Sequence, residues 1–96
     1  MLEKEIVAAI LRLLRKWPRT FAWKTHGGIY GTAGIPDIIA CVNGRFVALE
    51  VKQPGGRLTE LQKATLSKIR AAGGVAEMAV SAAQTEQILV EKGMGA

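Results

Sequence analysis

Cysteine and histidine are almost missing from these 96 residues: Cys41 and His26 are the only ones. A single cysteine excludes an intrachain disulfide framework, and one of each leaves no set for a zinc cluster or a Cys-His nucleophile pair. Cys41 falls inside a predicted strand, where a buried, inert thiol is expected. Long apolar runs are also absent, so no stretch spans a bilayer, and the N-terminus is a charged amphipathic segment instead of a signal sequence. Acid is in short supply. Eight Asp and Glu stand against 13 Lys and Arg, a formal net charge of +5, which favours a polyanionic partner. Gly27, Gly28, Gly31 and Gly34 are not followed by the Lys-Ser/Thr of a phosphate loop and do not fit the dinucleotide fingerprint, so no nucleotide-binding motif is read from them. The length fits one domain, residues 1–96, with a modest core and no internal repeat.

What is present is organised around residues 34–52, GIPDIIACVNGRFVALEVK. Two apolar runs flank Asn43-Gly44, the strongest short-range signal for a two-residue hairpin turn. With those two residues as the loop, Val42 pairs with Arg45, Ala40 with Val47, Ile38 with Leu49 and Asp37 with Glu50. Strand alternation adds Lys52 to the face of Glu50 and turns Val51 away. Like charges directly across a hairpin are destabilising, so something must offset the acid pair. One reading is a hard divalent cation on the carboxylate oxygens. The other is solvation at a strand end, or neutralisation of Glu50 by Lys52.

Residues 2–17 are predicted to form a helix that stops at Pro18, with Leu2, Ile6, Ile10, Leu13, Leu14 and Trp17 on one face. Glu3 lies within that face and Glu5 on the opposite one, so Glu3 is the better functional candidate, although an acid in a first turn also complements the helix dipole. A strand over residues 20–25 and a Gly-rich loop over 26–36 follow. Lys24, His26 and Tyr30 here, and Arg57 beyond the hairpin, are candidates for contact with a phosphate backbone, or ordinary exposed side chains. Residues 53–57 form a turn. Thr59-Glu60-Leu61-Gln62 fits a capping box at the next helix start, and Gln62 serves either that cap or the site. The helix closes at Gly73-Gly74, and a strand over 75–80 and a last helix from Ser81 to Gly93 complete the order: helix, three strands, helix, strand, helix. Ile88, Leu89 and Val90 exceed what one side of the last helix can bury. With the Trp-bearing first helix they point to an apolar surface covered by a second copy, hence a homodimer.

Gly34-Ile35-Pro36-Asp37 followed by Glu50-Val51-Lys52 resembles the PD-(D/E)XK nuclease signature. With the early acid and the Leu-Thr-x-x-Gln helix start, nearly the whole chain is similar to stand-alone VRR-NUC domains, the virus-type replication-repair nucleases. The resemblance implies an α/β, restriction-endonuclease-like core with a mixed sheet flanked by helices, and metal-dependent hydrolysis of phosphodiester bonds in DNA, with Mg²⁺ or Mn²⁺ as cofactor. By position it implies Asp37, Glu50 and the Val51 carbonyl as metal ligands, Lys52 as the catalytic lysine, Gln62 as the helix glutamine and Glu3 as the first-helix acid. It also implies a homodimer acting on four-way junctions or other branched DNA; flaps, linear duplex and RNA are alternative substrates. A soluble protein of the cytoplasm, in a bacterial or phage-infected cell, is expected. The reading from another class is a catalytically idle nucleic-acid-binding subunit that keeps the fold, and the retained acids, which repel phosphate, count against it.

Overall fold

The computed structural model describes residues 1–25 and 33–95. Its elements are α1 (Glu3–Lys16), β1 (Thr20–Lys24), β2 (Ile38–Val42), β3 (Arg45–Val51), α2 (Glu60–Ala71), β4 (Val75–Ala79) and α3 (Ala82–Glu91), in the expected order. One mixed sheet of order β1-β2-β3-β4 results. The first three strands are antiparallel neighbours and β4 runs parallel to β3. A parallel pair needs a crossover, and α2 supplies it.

The turn chemistry sets the register. Asn43 and Gly44 both have positive φ, 54° and 82°, the pair of left-handed residues that a tight hairpin loop of matching twist requires. Val42 then opposes Arg45, Ala40 opposes Val47 and Ile38 opposes Leu49, as the sequence predicts.

Alternation along these strands divides the interior in two. Ile38, Ala40, Val42, Val47, Leu49 and Val51 point to one face, where Ile6, Val7, Ile10, Leu11 and Leu14 of α1 and Leu89 of α3 complete the larger core. Each Val, Leu or Ile among them contributes about 1.5–3 kcal/mol when fully buried. On the other face, Ile39, Ala48 and Ala76 meet Leu66 of α2, with Leu58 and Ile69 beside them. The stripe on α1 differs from the expected one. Val7 and Leu11 are buried, whereas Leu2 is exposed and Leu13 only half-buried; Leu2 is the N-cap, with extended backbone, and so stands outside the helical stripe.

Two further expectations are corrected. Cys41 is exposed, since α2 packs over β3 and β4 and meets β2 at Ile39, leaving the Cys41 end of that strand uncovered. Trp17 is partly buried and not a free apolar face: it packs against the larger core, and its indole N–H donates to the Met94 carbonyl at 2.7 Å. On α3, Leu89 is buried and Ile88 packs against the core, so of the three apolar residues there Val90 alone is exposed, at 56%.

Candidate active site at the open end of the hairpin

Asp37 immediately precedes β2, and the register that pairs Ile38 with Leu49 brings it opposite Glu50. Alternation puts both acids on the α2 face, in the file of Ile39 and Ala48. Asp37 is held on both sides. Its carboxylate Oδ2 accepts the Val51 N–H at 2.7 Å, and its carbonyl accepts the Thr25 N–H at 2.9 Å. The Thr25 hydroxyl donates to the carbonyls of Pro36 at 2.7 Å and Asp37 at 3.2 Å. The approach to Asp37 is tight as well. Gly34 has φ +83°, and a Cβ there would meet Thr65 Oγ1 at 2.8 Å and Leu61 Cγ at 2.9 Å, so the chain passes against α2 where only glycine fits.

Glu50 is only 5% exposed. Burial first, then its hydrogen bond with Asp37 and the charge of that neighbour, push its pKa from 4.5 up to about 8; Lys52 pulls it down, and Glu3 adds a small upward push. Two acids crowded in a poorly hydrated place resist both being ionised. Lys52, half-buried, follows on the same face by alternation. Its backbone N–H donates to the Ala79 carbonyl of β4 at 3.0 Å. Because the peptide is trans, the Val51 carbonyl in the same plane points the opposite way, off β4 and toward the side of Asp37.

The first-helix acids separate. Glu5 is occupied at the helix start, where its Oε1 accepts the Leu2 N–H at 2.8 Å. Glu3 is the one whose charge reaches Glu50. Gln62 completes the capping box: its Oε1 accepts the Thr59 N–H at 2.9 Å while its own N–H donates to Thr59 Oγ1 at 3.1 Å. Its carboxamide oxygen is thereby committed to α2, leaving the amide nitrogen as the group it has to offer.

Lys24 pairs with Ile38, whose side chain lies in the core under α1, so it occupies the face opposite the acids. Arg57 is exposed beyond the turn after β3, and His26 and Tyr30 lie outside the described residues. Thr25 is a positioning residue that sequence reading missed. Its only signal is the pairing of β1 with β2 across a loop whose length alone does not set the register. Gln53 is a second, its Nε2 donating to the Met1 carbonyl at 2.7 Å and tying the N-terminal segment beside β3.

Among the described residues no three His, Cys, Asp or Glu side chains form a metal-ligating group. The two carboxylates are in contact, with the Val51 carbonyl turned to their side by peptide geometry, and among the described residues no helix is long and apolar enough to cross a membrane.

No curated protein matches the sequence. A solved structure described as a VRR-NUC domain superposes with a TM-score of 0.75 at 19% identity, covering 93% of this chain and 94% of the other. That likeness shows the fold, a mixed sheet flanked by helices in the restriction-endonuclease-like manner. The profile of the VRR-NUC domain matches residues 2–83, and with that match over most of its length the chain belongs to the VRR-NUC family.

Proposed function

We propose that this chain is a metal-dependent DNA endonuclease whose site is Asp37, Glu50 and Lys52. The observation that carries the reading is the acid pair: two carboxylates in contact, one of them buried, with the lysine next on the same face. Such a pair is unfavourable by itself and suits a hard cation taking oxygen ligands. Mg²⁺ accepts one or two protein carboxylates and keeps several waters, so Asp37, Glu50 and the Val51 carbonyl fit Mg²⁺ or Mn²⁺ better than they fit zinc, which prefers nitrogen and sulfur. When bound there, the cation supplies an acidified water and stabilises charge on the phosphoryl oxygens.

The chain's own residues do the rest. The Val51 amide and the Thr25 hydroxyl fix the Asp37 carboxylate and backbone. Lys52 places a cation where negative charge grows on the phosphorus centre, a positioned electrostatic contribution that needs no reorganisation. We assign the Glu3 carboxylate, whose charge reaches Glu50, and the Gln62 amide donors as orienting groups, while the positive charge of the chain draws the phosphate backbone in.

The substrate we propose is branched DNA, four-way junctions first, cut by a homodimer whose two-fold axis matches a two-fold substrate. Cleavage of labelled four-way junction, flap and linear duplex, with and without Mg²⁺, tests this. Cleavage that needs the cation, favours branched DNA and is lost in Asp37→Asn supports it. Undiminished cleavage by Asp37→Asn would remove the assignment, and DNA binding with no cleavage in Mg²⁺ or Mn²⁺ would favour the idle binding subunit. Sedimentation at micromolar protein should give twice the chain mass.

A further inference from the structure

The α2 face of the sheet carries more than the acids. Three rows cross it by direct pairing: Thr25 and Asp37 with Glu50 at the site, then Trp23, Ile39 and Ala48, then Phe21, Cys41 and Phe46. Residues directly opposed across strands share a face, so the rings of Trp23, Phe21 and Phe46 lie on the same surface as the carboxylates. On the part of this face that α2 leaves open, Phe21 is 71% exposed, Trp23 43% and Phe46, near the turn end of β3, 48%. Phe21 and Trp23 sit side by side with ring centroids 5.5 Å apart. Trp23 is a diagonal neighbour of Asp37, about 7 to 8 Å away by strand geometry.

We propose that this strip is a stacking platform for unpaired bases of the DNA that enters the site. The inference rests on the nuclease reading and says what part of the substrate lies beside the cleaved bond. Exposed aromatic rings on an open sheet face hold bases by stacking, whatever the base, because every base has a π face. The strip matches that use in three ways. Its large exposed side chains are rings. It runs without interruption into the acid row. It carries no carboxylate, while Lys68 follows Leu61 and Thr65 by helix period along the side of α2 that meets Gly34, and Arg19, its guanidinium donating to Asn43 Oδ1, keeps a positive charge before β1. A second copy of the chain is the other occupant an apolar face could take. Seated here it would stand one residue pair from Asp37 and obstruct the phosphate the acids are placed to receive.

The test compares binding of two dye-labelled DNAs in EDTA, a fully paired duplex and the same duplex with an unpaired flap, using the whole chain and its Phe21→Ala, Trp23→Ala and Trp23→Leu variants. Unfolding curves confirm that the variants fold, as the exposure of both rings leads us to expect. Flap DNA should bind each variant about tenfold more weakly than it binds the unaltered chain, with duplex affinity changed less than about twofold. Flap DNA should also quench tryptophan emission in the unaltered chain and not in Trp23→Leu. Equal affinities across the variants, or equal losses on both DNAs, would overturn the platform. So would sedimentation showing that the unaltered chain is a dimer and the variants monomers, which assigns the strip to a second copy. If the unaltered chain neither binds nor cuts DNA, the nuclease reading falls; if it does both and the variants bind flap DNA as well as it does, the platform alone falls.

Discussion

Replacing Glu50 by glutamine should make the metal-free protein more stable at neutral and alkaline pH, and the structure says by roughly how much. Its folded-state pKa lies near 8, against 4.5 for the ordinary carboxyl, mainly because the side chain is buried and next because Asp37 is its neighbour. The folded chain therefore holds the proton more tightly than the unfolded chain does. This contribution is fully present below about pH 4.5 and is lost as pH rises through 8. At about 1.4 kcal/mol per pKa unit, the ionised site is worse than the protonated one by up to about 5 kcal/mol, as much as the whole stability of a marginal domain. Glutamine keeps the shape of the neutral acid and cannot ionise. Urea unfolding of both proteins in EDTA at pH 5, 7 and 9 should give a difference near zero at the acid end that grows by about 3 to 5 kcal/mol in favour of Glu50→Gln at the alkaline end. Adding Mg²⁺ at pH 8 should restore the unaltered protein by about 2.7 kcal/mol at a hundredfold excess over its dissociation constant, and should do little for the variant. Parallel pH profiles for the two proteins, or equal gains from Mg²⁺, would refute the argument that burial and the Asp37 contact make this acid pair a cation site.

Glu3→Gln should lower cleavage without changing stability, whereas Glu5→Gln should leave cleavage intact and reduce stability by about 0.5 kcal/mol through a weakened helix start; initial rates and urea midpoints for both variants would decide. Gly34→Ala should lose about 2 to 3 kcal/mol, because positive φ disfavours a side chain and the new Cβ collides with Leu61 and Thr65, and its residual cleavage in the folded fraction should fall as Asp37 shifts. Gly44→Ala, where a Cβ meets open space but φ is +82°, should lose only about 1 to 2 kcal/mol and keep its rate, and a large rate loss there would show that the hairpin register depends on more than its turn. Lys52→Ala should abolish cleavage while Mg²⁺ affinity, followed by calorimetry, stays near that of the unaltered protein.

Local sequence determined a good deal here. Asn43-Gly44 dictates a turn of positive φ, the turn dictates register, and strict alternation then carries Asp37, Glu50 and Lys52 to one face; each step is a nearest-neighbour rule that needs no knowledge of the rest of the chain. The caps at Thr59 and Ser81 are equally local, each side chain accepting an N–H three residues on. What α2 covers is not local. Its crossover length permits packing over β3 and β4, and only that placement exposes Cys41, Phe21 and Trp23, which period-two reading alone makes indistinguishable from core. Helix rotation behaves the same way, for whether Leu11 or Leu13 is buried depends on how α1 is turned against the sheet and α3. The pKa of Glu50 depends on enclosure by the folded chain and a neighbour 13 residues away in sequence. Desolvation is a property of the assembled surface, and no spacing along the chain encodes it.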